Sequence, residues 1–224
     1  MTLHIFNDFE QGSAEWHDVR RGIVTASVVG KLITPTLKVA DNDTSRGLTN
    51  QLAAERITGW TDPTYTNDDM WRGVESEPLA RDLYSKHYAP ATEVGFMRRD
   101  EDGWSLGYSP DGLVSDDGLI EIKAPRAKGH IATVLSGRVP PFYMAQCQAG
   151  LLVSGRSWLD FVSYVGGLPL WVKRVQPDPD WFAAIEAACR RFEENARTIT
   201  LTYQAAVVGL PQTERVLEEE MTLS

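Results

Sequence analysis

Cysteine is nearly absent: Cys147 and Cys189 are the chain's two among 224 residues. Two thiols cannot build a disulfide framework, and they fall short of the four thiolates an iron–sulfur cluster takes. Both sit in apolar helical patterns and read as buried, unreactive groups. A run of about 18 apolar residues is also missing. The opening Met-Thr-Leu-His-Ile-Phe-Asn-Asp has no basic stretch followed by an apolar one, so a soluble, cytoplasmic protein without membrane association is expected. The four histidines lack metal-ligand spacing, and His17 reads as structural. No G-x-x-x-x-G-K-[ST] loop occurs, which argues against ATP-driven unwinding. Basic charge is in deficit, with 22 Lys and Arg against 31 Asp and Glu and a net charge of −9.

That deficit speaks against a polyanionic partner until its distribution is considered. From Lys123 to Arg138 the chain carries Lys123, Arg126, Lys128 and Arg138 with no acid, and Arg20-Arg21 and Arg98-Arg99 add two basic pairs. Acid is concentrated between Asp41 and Asp69 and in Glu218-Glu219-Glu220. A basic track on an acidic protein remains compatible with DNA, particularly where bound cations neutralise the site.

Apolar content of 42% suits one α/β domain, expected over residues 1–209 with an acidic tail at 210–224. Helices are predicted over 16–22, from the Thr25-Ala26-Ser27 cap to about 33, over 44–59, 128–136 and 141–153, and from Asp178 to about 196. Ala80, Leu83, Tyr84, His87 and Tyr88 recur at helical spacing and predict one buried face. Strands are predicted over 92–98, 104–108, 113–114 and 119–123, with a hairpin of 158–165 and 168–175 about Gly166-Gly167. This order implies a central mixed β-sheet flanked by helices.

The most informative stretch is Ser109-Pro110-Asp111-Gly112 followed by Glu121-Ile122-Lys123. Alternation over Leu119–Lys123 puts Glu121 and Lys123 on one face of a strand and Ile120 and Ile122 on the other. Two carboxylates and an amine on a short hairpin suit binding Mg²⁺ and orienting a water, the chemistry of phosphodiester cleavage. A two-residue Asp117-Gly118 turn pairs Asp111 with Ala124 and turns it to the opposite face. A three-residue loop, Asp116-Asp117-Gly118 with Gly118 left-handed, pairs Asp111 with Lys123 and keeps all three groups together. The metal-site reading requires the second, or an equivalent bulge near Pro110.

The Asp-x₉-Glu-x-Lys arrangement resembles the PD-(D/E)xK nuclease signature. Its neighbours sharpen the resemblance: Trp16-His17-Asp18-Val19-Arg20-Arg21-Gly22 with Val24-Thr25-Ala26-Ser27, then Trp71-Arg72-Gly73 with Glu77 and Ala80-Arg81, then Tyr143-x-x-Gln146-x-Gln148. In this order they resemble the phage lambda exonuclease, or YqaJ-like viral recombinase, family over about residues 13–175. The resemblance implies a restriction-endonuclease-like α/β core and a Mg²⁺-dependent 5′-to-3′ exonuclease. Such an enzyme digests one strand of linear double-stranded DNA, forms a homotrimeric ring around it and works with a single-strand annealing protein in phage recombination.

Carried onto this chain, the resemblance makes Asp111, Glu121, Glu77 and the Ile122 carbonyl ligands of Mg²⁺, two ions with Mn²⁺ as a substitute. Lys123 would orient and help deprotonate the attacking water, a metal-lowered pKa favouring that role, or neutralise the scissile phosphate. Gln146 would hydrogen-bond beside it. Arg20 would grip the 5′-terminal phosphate with Thr25, Ser27 and the helix end they cap, next to Trp16. Each role has a plainer alternative: a solvated hairpin tip, an edge-strand lysine, an exposed Arg20 without a partner, a polar helix face for Gln146 and Gln148. Pro78 places a helix start or kink beside Glu77, which makes Glu75 a rival ligand and a Glu77–Arg81 surface pair the alternative. Met70-Trp71 fits core packing better than a wedge between base pairs. Two other functions remain open, a structure-specific, resolvase-like endonuclease of the same fold and a catalytically inactive DNA-binding or annealing module.

Overall fold

A computed structural model describes residues 2–7, 12–62 and 68–215. The elements are β1 (Thr2–Phe6), α1 (Ala14–Arg20), α2 (Ala26–Val29, running into a 3-10 turn, Gly30–Leu32), α3 (Asp43–Thr58), α4 (Asp68–His87), β2 (Ala91–Thr92), β3 (Phe96–Glu101), β4 (Trp104–Tyr108), β5 (Gly112–Val114), β6 (Gly118–Lys123), α5 (Ala127–Ser136), α6 (Pro141–Ser154), β7 (Trp158–Ser163), β8 (Trp171–Val175) and α7 (Pro179–Ala206). Among the described residues they form a three-stranded sheet, β1-β3-β4, and a five-stranded mixed sheet, β2-β5-β6-β7-β8.

β6 is the middle strand of the larger sheet, antiparallel to β5 and parallel to β7. A parallel pair needs a long crossover, and α5 and α6 supply it. The predicted alternation decides what each face of β6 meets. Leu119 joins a core with Leu106, Cys147, Leu151, Phe161, Ile185, Cys189 and Phe192, drawn from α6, α7, the neighbouring strand β7 and the smaller sheet. Ile120 and Ile122 point the other way, into a second cluster with Val162 and with Ala80 and Tyr84 of α4. Burying each large side chain of these layers contributes about 1.5–3 kcal/mol. Because α4 carries few buried residues, a polar clamp helps hold it. The Tyr84 hydroxyl donates to Asp160 Oδ2 at 2.7 Å, and Arg174 donates to both oxygens of the same carboxylate at 2.9 Å.

Several boundaries differ from the sequence reading. β1 was not expected, since its apolar Leu3 and Ile5 are exposed and give no core signal. α7 continues ten residues beyond Ala196, through an Arg-Thr-Ile-Thr-Leu-Thr stretch rich in β-branched residues of low helix propensity. α4 neither starts nor stops at Pro78 but runs through it from Asp68. The hydrogen bond that Pro78 cannot donate would have gone to the carbonyl of Val74, an exposed residue whose carbonyl water can reach. The predicted buried face of α4 shrinks to Ala80 and Tyr84; Tyr88 is exposed, although its ring stacks on Tyr84. The Glu-rich tail, Glu218–Glu220, lies outside the described residues.

Gly150 shows how tightly α6 meets the smaller sheet. A Cβ there would stand 2.7 Å from Cζ of the fully buried Tyr108 ring. Gly150→Ala is therefore expected to lower stability by about 1–3 kcal/mol through overpacking, read as a shift in the urea unfolding midpoint; an unchanged midpoint contradicts the close approach.

Candidate active site

The hairpin closes differently from either loop considered. Gly112 pairs with Ile120, Leu113 with Leu119 and Val114 with Gly118, so the loop is Ser115-Asp116-Asp117. Ser115, not Gly118, takes the left-handed conformation, at φ 50°. Gly118 is a strand residue, kept small because a Cβ would meet the Trp158 ring at 2.2 Å. Continuing this register sets Asp111 opposite Glu121 rather than opposite Lys123, a shift of two residues. An even shift preserves the face, so Asp111, Glu121 and Lys123 still converge.

Glu121 is fully buried, and its carboxylate is met by three donors. Lys123 Nζ lies 2.6 Å and Gln146 Nε2 2.5 Å from Oε1, and the Tyr108 hydroxyl lies 3.1 Å from Oε2. Asp111 Oδ2 accepts the Ile122 amide at 2.5 Å. Burial, reinforced by repulsion from Glu121, pushes the Asp111 carboxyl well above the usual carboxylate range. For Lys123 burial works to lower the pKa, but the Glu121 and Asp111 carboxylates outweigh it and raise it. The ammonium also lies 5.6 Å from the centre of the Tyr143 ring, within cation–π range.

Glu77 lines the same cleft, and Arg81 donates to its Oε1 at 2.5 Å, the i+4 pair raised as an alternative. Burial raises the Glu77 pKa against the pull of Arg81, and Glu121 adds to the rise. Arg20, which lines the same cleft, is half-buried and partnered. Its guanidinium stacks 3.8 Å from the centre of the Trp16 ring and donates to Ser109 Oγ at 2.9 Å. Trp16 Nε1 donates to that hydroxyl at 3.3 Å. Among the described residues no carboxylate pairs with Arg20, and burial lowers its pKa to about 10. Thr25 caps α2 and lies 3.1 Å from Ser27 through their hydroxyls, but α2 is only four residues long, so its dipole is small. Trp16, Arg20, Thr25, Ser27, Glu77, Asp111, Glu121, Ile122, Lys123 and Gln146 all line one cleft of about 710 Å³.

Residues 15–157 match the YqaJ-like viral recombinase domain. The chain belongs to the YqaJ-like viral recombinase family. It is 33% identical to the alkaline exonuclease LHK-Exo of Laribacter hongkongensis, covering 89% of this chain and 100% of that one with a TM-score of 0.79. LHK-Exo in complex with dAMP gives 34% identity over the same coverage and a TM-score of 0.78. A phage-related exonuclease from Haemophilus somnus 129PT shares the fold at 16% identity, covering 81% of this chain and 96% of that one, with a TM-score of 0.58. No match was found among curated proteins. The mixed α/β architecture is that of the restriction-endonuclease-like phage-type exonucleases.

Among the described residues, no three His, Cys, Asp or Glu side chains are grouped to hold a metal ion as they stand. The donor chemistry of this family member nonetheless fits a hard cation. Its candidate ligands, the Asp111, Glu121 and Glu77 carboxylates and the Ile122 carbonyl, are all oxygens that line one cleft, as Mg²⁺ prefers. The third carboxylate, Glu77, is turned to Arg81 and would have to leave it.

The structure separates the two glutamines. Gln146 reaches Glu121, whereas Gln148 donates to the Gln176 carbonyl at 2.8 Å and accepts the Asp178 amide at 3.0 Å, tying α6 to the start of α7. His17 packs edge-on against Trp16, in keeping with a structural role. Met70 and Trp71 are exposed, at 45% and 57%, so core packing is not their role. Sequence reasoning missed Tyr108, Ser109 and Arg81's second bond, from Nε to the Asp111 carbonyl at 2.7 Å. Tyr108 and Ser109 immediately precede Pro110-Asp111, and that adjacency was the available signal.

Proposed function

We propose that this protein is a Mg²⁺-dependent deoxyribonuclease that digests one strand of linear double-stranded DNA from its 5′ end and releases mononucleotides. One observation carries the reading: the Asp111–Glu121–Lys123 set and Arg20, which among the described residues pairs with no carboxylate, line a single cleft. Such a cleft can hold a terminal phosphate and the reacting one together. The exonuclease relatives and the family assignment favour the same class of reaction.

In this reading Arg20, with Ser109, Thr25 and Ser27 nearby, binds the 5′ phosphate, and Trp16 keeps the guanidinium plane fixed. Bound Mg²⁺, held by Asp111, Glu121, the Ile122 carbonyl and Glu77, supplies charge neutralisation at the scissile phosphate and acidifies water. Lys123 Nζ lies 2.6 Å from Glu121 Oε1. Two of its three N–H donors remain to orient the incoming water or to stabilise the charge that builds on the phosphoryl oxygens. Gln146 fixes the rotamer of Glu121 and thereby the spacing to Lys123. The phosphate anchor holds the chain end in register, so positioning contributes alongside electrostatics. The homotrimeric ring and the single-strand annealing partner belong to the proposal on grounds of family resemblance.

Nucleotide release from a linear duplex tests the reading directly. Release should require a 5′ phosphate for fast initiation, stop in EDTA and be absent on closed circular DNA. Cutting of circles would favour the resolvase-like endonuclease, and no release under any metal would favour an inactive binding module. Lys123→Ala should lower the rate roughly 10²- to 10⁴-fold while duplex binding, measured by anisotropy, persists; undiminished cleavage in that variant removes Lys123 from the mechanism.

A further inference from the structure

At the mouth of the cleft, one oxygen collects donors from two arginines. Asp69 Oδ1 accepts from Arg72 Nη1 at 2.9 Å and from Arg126 Nε at 3.0 Å, and Arg126 Nη2 lies 3.0 Å from the same oxygen as an ion pair. Asp69 lies in the first turn of α4 and Arg126 caps α5, so the contact spans the entrance. All three residues line the cleft that holds Asp111, Glu121 and Lys123. None of them belongs to the set that meets the reacting phosphate. We propose that Asp69 is a resident stand-in for a DNA backbone phosphate, holding Arg72 and Arg126 in place until a duplex displaces it.

Three features favour exchange over a fixed structural bridge. First, the partners are solvent-exposed, Arg126 by 73% and Asp69 by 55%, and an exposed ion pair is weak and screened. A polyanion that releases counterions on binding competes well against it. Second, Arg72 has another anchor: its Nε donates to the Ala124 carbonyl at 3.1 Å, one residue beyond Lys123. Its guanidinium therefore stays at the entrance when the carboxylate leaves. Third, residues 124–159 contain no Asp or Glu, and the acid that meets Arg126 comes from a different element. Hydrogen bonds from Arg72 and then Arg126 lower the Asp69 pKa, so the stand-in is anionic at neutral pH. A guanidinium pair converging on one anionic oxygen is also the geometry that suits a phosphate.

This inference rests on the nuclease reading, and the test separates the two. Binding of a fluorescent 5′-phosphorylated duplex is followed by anisotropy in EDTA over a series of salt concentrations. Asp69→Asn, with Asp69→Ser as a second variant, should bind about two- to fivefold tighter, the scale of an exposed ion pair removed from competition. Arg126→Gln should bind more weakly, with the slope of log K against log salt less negative by about 0.9. The gain from Asp69→Asn should shrink when Arg126→Gln is also present and vanish when Arg72→Gln is added to it. Equal or weaker binding by both Asp69 variants overturns the proposal. So does a gain that persists with both arginines replaced, which would be a general charge effect, or an unchanged salt slope in Arg126→Gln. Wild-type protein that binds no duplex at all overturns the nuclease reading and this inference with it.

Discussion

Glu121 places a carboxylate where water does not reach, and a buried charge is tolerable only when donors surround it. Three elements supply them: Lys123 from the same strand, Gln146 from α6 and Tyr108 from the end of β4. Each donor fixes a packing relationship. Tyr108 must pack closely against Gly150, and α6 must cross β6 closely enough for Gln146 to reach. The smaller sheet, the crossover helix α6 and strand β6 are thus joined around a single carboxylate.

The same group sets the character of the cleft. Asp111 adds a second carboxyl that burial and Glu121 hold in a poor electrostatic position. Lys123 answers part of that excess and becomes a firmer cation by doing so. The remaining imbalance is what a hard, oxygen-seeking ion can relieve. Stability and chemistry pull against each other there, as expected where crowded like charges are kept for function. α4 reaches the site from the far layer, anchored by Tyr84 on Asp160. Arg81 ties it to the Asp111 backbone and holds Glu77 of the same helix.

Much of this was legible in the linear chain. The alternation of Leu119–Lys123 assigned faces correctly, since a strand's side-chain period is fixed by its backbone. Pro140-Pro141, Asp178-Pro179 and Gly59 marked helix ends that the structure keeps, because capping is a local matter of hydrogen bonds and allowed angles. The motif blocks carried the family, and Trp16, Arg20, Glu77 and Gln146 from them line one cleft with Asp111, Glu121 and Lys123, whereas Gln148 lies outside it. Less legible were features in which distant contacts override local preference. Pro78 inside α4 is one. β1 is another, paired to β3 with its apolar side chains outward. The β-branched end of α7 is a third.

By itself, then, the sequence determined which groups could do chemistry, which face of β6 they share and where most elements begin, all of which follow from local backbone geometry and periodicity. Only the tertiary structure decided the hairpin register, the donors around Glu121, the split between Gln146 and Gln148 and the bridge from Asp69 to Arg126. These depend on which side chains, separated by tens of residues, come within hydrogen-bonding reach once the layers pack. Close packing and the cost of an unpaired buried charge choose among arrangements that are equivalent along the chain.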